Sequence, residues 1–476
     1  MNRRIFEPLS LYVVIALVIL LQVVHLSLAT NPITDEGVYA EAGRLIMQGN
    51  IPHMDFPLWH MPMLPLLIGI GLKLFGSMYP IRLIYLLLNC LAAIPLYLTF
   101  RNLHKYSAAA VLAIFFYLTF HEMVHHDFRF LAVRQLTNIF FIGFFYLGTV
   151  KQQWKWTPLL QTLCAAAAVM TFLLSAVHLV LLVIALVLMA NSWKESLSIA
   201  RRYTLIAIPV LVLLLVYFLF IPQSIDQVIV AQTHRFPMDL QYRLKLMFTG
   251  QFDAFFYTVS LVSLVLGTVF LRKQRFLCFA MLGIFLTSTF LPRFFYPHYT
   301  SAAAPALAYG IFIFSILVST TCKHIGQHAL LCTYTILIFT FTYHFSLVFS
   351  SLAGEWLGNR NPDYYQLIDV LRNSPGPLLA LEPIYAVDAD RQLIHESIDT
   401  YFRSPLLQPL SENEYAEMAN RACTILLEGK ANRYIPSSLR KQWREQFAVI
   451  HENRWGSVLL TSNAHCTQPL LEIEQQ

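Results

Sequence analysis

Apolar runs of about 20 residues recur along almost the whole chain, and no other feature constrains its fold so tightly. A helix of about that length is needed to cross the hydrocarbon core of a bilayer. There, only helices and closed barrels satisfy their own backbone hydrogen bonds. Residues 9–28, 81–100, 108–120, 128–150, 203–221, 254–271, 276–291, 299–318 and 329–349 each read as a span. The stretch 158–190 is long enough for a tight pair turning near Ser175 to His178. The expected architecture is an α-helical polytopic membrane protein with about 11 spans plus interfacial helices. Composition agrees, with 57% hydrophobic and only 13% charged residues, where a soluble protein carries roughly 25% charged. The segment at Met1-Asn2-Arg3-Arg4 and the run after it read as an uncleaved first span rather than a signal peptide.

The net charge of +6 is spread over short loops and does not point to nucleic acid. It reports orientation instead. The loops at Arg3, Arg101, Lys151, 194–202, 272–275 and Lys323 are short and basic, which places them and the N-terminus in the cytoplasm. This assignment requires the short apolar stretch 63–75, which contains Lys73, to be re-entrant or interfacial. From residue 351 onward charges become frequent, and helical periodicity at 363–372, 412–421 and 438–447 alternates with strand-like runs at 378–381, 424–427 and 457–460. The expected division is a membrane domain over 1–350 and a small α/β outer domain over 351–476. No CxxC pair occurs. Cys423 and Cys466 lie in the polar region, and the sequence leaves open whether they pair.

Chemistry-bearing residues gather on the predicted outer side. Thr34-Asp35-Glu36-Gly37-Val38-Tyr39 follows the first span and opens a short amphipathic helix expected to lie on the membrane. Asp35 reads either as a general base or as the N-cap of that helix. Glu36 reads either as a residue orienting an acceptor or as a favourable first-turn charge. Asp55 lies in a Pro- and aromatic-rich loop, as a cavity residue or a turn former. His121, Glu122, His125, His126 and Asp127 leave room for a divalent metal, but their spacing matches no standard site. Asp127, Arg129 and Arg134 instead suit the border of a cavity. Arg293 and His298 suit a phosphate, with headgroup snorkelling as the alternative for the arginine.

Gly49-Asn50-Ile51-Pro52-His53-Met54-Asp55-Phe56, Met63-Leu64-Pro65-Leu66-Leu67 and Leu74-Phe75-Gly76, in that order after Thr34 to Tyr39, resemble the first outer loop of GT-C glycosyltransferases. Among these the pattern is similar to the bacterial protein-mannosyltransferase-like and aminoarabinose-transferase-like membrane proteins. Pro292 to Tyr299 looks like the family's late outer loop. The chain departs from it at Met61-Pro62-Met63, where Pro-Pro is frequent, and has His60 near the place of a basic residue. The resemblance implies transfer of a sugar, with inversion, from a polyprenyl-phosphate-sugar lipid to an acceptor hydroxyl on a protein, lipid or glycan. It implies Asp35 as base with Glu36 beside it, and donor-phosphate contacts from Arg293, His298 and His60. Tyr39, Asp55, Asp127 and Arg129 would line the substrate cavity, and no metal ligand is assigned. The expected location is a bacterial inner membrane with the C-terminal region extracytoplasmic. The rival is a transporter or flippase of lipid-linked glycans, which requires polar residues in broken helices near the bilayer midplane. This chain keeps its acids at one surface.

Overall fold

In the computed structural model, residues 3–28, 34–104, 107–120, 131–150, 154–230, 233, 238–249, 254–292, 297–325, 362–394, 410–428, 435–452, 456–460 and 466 are described. The chain divides into two compact units. The first holds Met1–Ala29, Arg82–Phe220 and Pro237–Gly358, and the second Thr30–Ile81, Ile221–Phe236 and Asn359–Gln476.

The first unit is a helical bundle. It contains α1 (Arg3–Leu28), most of α4 (Met78–Leu103), α5 (Ser107–Thr119), α6 (Val133–Thr149), α7 (Thr157–Thr171), α8 (Ser175–Leu188) and α9 (Trp193–Phe220). The helices Leu240–Thr249, Ala254–Phe270, Arg275–Phe290 and Ala304–Ile325 complete it, the last entered through a 3₁₀ turn at Pro297–Ala303. Among the described residues of both units, Met78–Leu103, Trp193–Phe220 and Tyr299–Thr321 are long and apolar enough to cross a membrane, and seven shorter apolar helices accompany them, one of which, Met63–Phe75, lies in the second unit. The expected pair within 158–190 is present as α7 and α8, broken at Phe172 to Leu174. In α9, Leu205, Leu211, Leu215, Leu219 and Phe220 are exposed. Such a large contiguous apolar face suits lipid rather than water. The interior is aromatic, with Phe100 stacked on Phe312 at 5.1 Å and Phe116 on Phe256 at 5.5 Å. A Cβ on Gly310 would meet the Ser260 carbonyl oxygen at 2.6 Å, the close helix approach that small residues permit in membranes.

Between the expected spans 203–221 and 254–271 the chain carries helix Gln223–Ile225, a π-helical turn at Asp226–Val230 and helix Leu240–Thr249. The span expected from 128 begins at Val133, with 121–130 outside the described residues. The expected span 329–349 also lies outside them.

The second unit is α/β. Four strands, β1 (Leu378–Ala380), β2 (Thr424–Glu428), β3 (Ala448–Glu452) and β4 (Gly456–Leu460), form a sheet ordered β1-β2-β4-β3. The first pair is parallel and the other two antiparallel. Cys423, beside β2, is disulfide-bonded to Cys466, with Cα atoms 5.5 Å apart, inside the normal range for a bridge. The same unit contains α2 (Thr34–Met47) and α3 (Met63–Phe75). Helix α3 has the expected bounds because Pro62 precedes it and Gly76, at φ 69°, closes it in the left-handed region.

The amphipathic helix α2 does not turn its apolar face to lipid as expected. Val38, Ala42 and Leu45 are buried in one core with Leu367 and Leu371 of helix Pro362–Asn373, Leu378 of β1, and Ile384 and Tyr385 of helix Ile384–Asp388. A stripe that reads as membrane-facing in local sequence has found a protein partner more than 300 positions away, and that contact leaves no local trace.

Candidate active site

The site is built on the start of α2. The helix begins at Thr34, so Asp35 and Glu36 both lie in its first turn, and Asp35 is not its N-cap. Acids at this end meet the positive end of the helix dipole, worth about 0.3–1 kcal/mol each. Asp35 is part-exposed, while Glu36 is fully buried. Tyr39, one turn on, is buried, and its ring meets His60 edge-on with centroids 5.6 Å apart.

The glycine of this motif has a packing reason. A Cβ on Gly37 would lie 2.8 Å from both Cα and Cβ of Ile384 and closer still to its amide nitrogen. Further along, a Cβ on Gly43 would meet the Pro65 carbonyl at 2.6 Å, and Gly69 approaches the Gly43 backbone from α3. Glycines thus let α2 lie directly on α3 and on the helix at Ile384, fixing the direction in which its first turn points.

The loop after α2 is held by few bonds. Gly49, at φ 95°, and Asn50, whose amide donates to the Leu45 carbonyl at 3.2 Å, end the helix. The Ile51 amide donates to Asp55 Oδ2 at 2.6 Å. Gln227, on the π-helical turn, clamps the rest. Its Oε1 accepts from the Leu58 amide at 2.9 Å and lies 3.0 Å from His53 Nδ1, and its Nε2 donates to the His53 carbonyl at 3.1 Å. Burial holds the His53 imidazole below the usual histidine range, against the opposing pull of Gln227.

A third carboxylate on α2 escaped the sequence reading. Glu41 is 1% exposed, and loss of water pushes its carboxyl up to about 7 despite the nearby Arg44 cation. Arg44 Nε lies 3.4 Å from Glu41 Oε2, and the same guanidinium donates to the Arg391 carbonyl at 2.8 Å. Arg391 in turn donates to the carbonyls of Ser374 and Gly376. The signal was present: Glu41 falls between Val38, Ala42 and Leu45, an acid inside an apolar stripe. Gln227 had no such signal, being a single amide between two expected spans.

Asp55 is exposed and borders a cavity of about 350 Å³ with Pro57, Pro377, Gln392, Leu393, Ile394 and Arg421. The second unit therefore contains Asp35, Glu36, Tyr39, Asp55 and His60, of which Tyr39 and His60 touch. Asp127, Arg129 and Arg293 lie outside the described residues, as does the side chain of His298. The His121 to Asp127 cluster is likewise outside them, and among the described residues no group of three His, Cys, Asp or Glu side chains could hold a metal ion.

No protein-family model and no curated protein sequence matches this chain. Solved structures do. ArnT from Cupriavidus metallidurans in the apo state matches with a TM-score of 0.64 at 13% identity, covering 96% of this chain and 98% of that one. ArnT from the same organism bound to undecaprenyl phosphate gives 0.64 and 13%, covering 96% and 99%. The Archaeoglobus fulgidus oligosaccharyltransferase in complex with Zn and sulfate reaches 0.45 at 12%, over 87% and 67%. The likeness to ArnT extends over nearly the whole of both chains, and this chain has the fold of ArnT.

Proposed function

We propose that this protein is an integral-membrane glycosyltransferase that moves a sugar from a polyprenyl-phosphate donor to an acceptor hydroxyl, with inversion at the anomeric carbon. One observation carries the reading: the end-to-end likeness to ArnT, which in one structure is bound to undecaprenyl phosphate. The motif at Thr34 to Tyr39 and its first-turn acids support it from the side of chemistry.

The reaction asks for little machinery. The acceptor oxygen loses its proton as it attacks the anomeric carbon, and the sugar–phosphate bond breaks with its electron pair leaving on the phosphate. A carboxylate within reach of the acceptor takes the proton, an effect worth about 10²–10⁴-fold. Asp35 is the proposed base. It is part-exposed, as a group that meets an exchanging substrate must be. Buried Glu36 is proposed to orient the acceptor. The departing phosphate needs cations and donors rather than an acid. Arg293, His298 and His60 are proposed for it, with Tyr39, Asp55, Asp127 and Arg129 lining the cavity.

Residues 1–350 are proposed as the catalytic membrane domain and 351–476 as an extracytoplasmic domain of a bacterial inner-membrane protein with a cytoplasmic N-terminus. The Cys423–Cys466 disulfide supports that side assignment, because such bonds persist in oxidising compartments.

The test is deletion of the gene in its host, followed by restoration of wild type or Asp35→Asn at matched protein level. Mass spectra of envelope glycans, glycolipids and glycoproteins are then compared. One sugar-bearing species is expected to vanish on deletion and to return only with the wild type. Full restoration by the aspartate variant would overturn the base assignment and favour transport over transfer.

A further inference from the structure

The first turn of α6 combines three features that oppose one another unless an anion is present. The helix starts after Ala132 with no side-chain cap and no acid in its first turn. Its second residue is a cation, Arg134, and a cation at the positive end of a helix dipole is unfavourable. Arg134 is also 8% exposed, and its Nε has no hydrogen-bond partner. The guanidinium lies over the Tyr299 ring, with its central carbon 5.1 Å from the ring centroid. The acids of this unit whose side chains are described, Glu195 and Asp239, bond Asn191 and Gln241 instead. The neighbouring Gln135 is 0% exposed with neither Oε1 nor Nε2 partnered.

Tyr85 Oη donates to the Ala132 carbonyl at 2.8 Å, and Asn138 Nδ2, one turn after Arg134, donates to the Ser301 carbonyl at 2.7 Å. Tyr257 Oη and Thr300 Oγ1 lie 2.7 Å apart. These groups are bonded, while Arg134 Nε and both polar atoms of Gln135 are not. A buried unpaired charge is strongly destabilising, and one partner of opposite sign reverses that.

We propose that the N-terminus of α6 is an oxyanion site for a phosphate group, with Arg134 as its cation and Gln135 as a neutral donor. A phosphate matches the planar guanidinium fork and has further oxygens for first-turn amides, the usual manner of phosphate binding at a helix start. The site stands on these residues alone. It rests on the transferase reading only for the source of the phosphate, a lipid headgroup rather than the free ion.

The experiment is thermal unfolding and binding of the purified full chain in detergent, titrated separately with inorganic phosphate, undecaprenyl phosphate and undecaprenol. Wild type is expected to be stabilised by a phosphate-bearing probe and not by undecaprenol. Arg134→Met is expected to unfold at the same or a higher temperature than wild type without ligand, and to bind that probe at least tenfold more weakly. Those opposite signs separate a ligand cation from a structural one. Should the methionine variant not fold, Arg134→Lys, which keeps the charge and loses the fork, is expected to weaken binding without lowering the ligand-free melting temperature. Binding of undecaprenyl phosphate alone assigns the site to a headgroup, and binding of inorganic phosphate as well assigns it to phosphate in either form. Absence of binding by wild type to either phosphate probe, or unchanged binding in both variants, overturns the proposal. Lipid binding that survives in both variants overturns it while leaving the transferase reading intact. Inorganic phosphate binding through Arg134 without lipid binding upholds it and removes support from that reading.

Discussion

Two helix starts in this molecule carry opposite charge. Helix α2 opens with Asp35 and Glu36, and α6 opens with Arg134 and Gln135. The acids suit the dipole they sit on, so the first turn of α2 is electrostatically settled before any substrate arrives. The arginine faces the wrong end of a dipole, is buried, and has no acceptor among the described residues. A carboxylate at this end of a helix lies where the dipole stabilises negative charge. A stranded cation marks a place where the protein alone does not complete its own electrostatics. The two ends therefore predict opposite responses to neutralisation: a loss at α2 and a gain in ligand-free stability at α6.

The largest expected effect breaks the α2 side of this contrast. Asp35→Asn keeps the size of the side chain but removes the proposed base and the first-turn charge. Transfer should fall by about 10²–10⁴-fold, while stability should fall by no more than about 1 kcal/mol. Turnover with a lipid-linked donor and the melting temperature, read on one preparation, check both. A variant that unfolds as readily as it loses turnover would make Asp35 a structural acid.

Glu41 sharpens the contrast, because it is a poorly accommodated charge on the helix whose first turn is well matched. Its carboxyl is raised from 4.5 to about 7 in the fold. Folding therefore takes up a proton between those values. Stability is fully present below pH 4.5, declines as the pH rises toward 7, and is flat above. The difference amounts to about 3 kcal/mol by the usual conversion of pKa to free energy. Glu41→Gln should flatten that decline and melt higher than wild type at pH 8, as seen in melting temperatures collected from pH 4.5 to 8. A decline of the same size in the variant would move the titration to another group.

Gly37→Ala tests whether packing or charge sets the direction of the α2 first turn. The added methyl would sit 2.8 Å from Cα and Cβ of Ile384. Overpacking of this kind costs about 1–3 kcal/mol, against a helix-propensity gain of about 1 kcal/mol. A lower melting temperature together with reduced turnover is expected. An alanine variant as stable as wild type would show that the two helices separate without loss.

Much of this architecture was open to reading from residues alone, and the reasons differ by region. The helices were legible because the length of an apolar run and its end signals are strong local constraints, as α3 shows with Pro62 and Gly76 at its ends. Strand β3 was missed because its burial gives no alternation: Ala448, Val449 and Ile450 are all exposed. Asp35 and Glu36 stood out through their motif and charge, and the structure puts both in the first turn of α2. Arg134 was noted as a cavity residue, but its lack of a partner is a three-dimensional fact. The partner of the α2 stripe was invisible because Ile384 and Leu367 are distant in sequence, and the roles of Gln227 and Arg391 likewise come only with the fold.

Asp55 gives the smallest expected effect and separates two roles left open by its sequence. Its Oδ2 accepts from the Ile51 amide at 2.6 Å on an exposed turn, so a structural part is already in place. Removing such a bond at the surface costs about 0.5–1.5 kcal/mol. Asp55→Asn keeps an oxygen acceptor for that amide and discards the charge, whereas Asp55→Ala discards both. If Asp55 is a turn former alone, the alanine variant loses that stability, the asparagine variant loses little, and both transfer sugar at the wild-type rate. If it also meets substrate in the cavity it shares with Arg421, as proposed, the asparagine variant raises KM several-fold while its melting temperature stays put. Turnover at varied acceptor concentration, beside a melting curve for each variant, decides between them. A KM unchanged in both variants would confine the substrate-facing carboxylates of this unit to the first turn of α2.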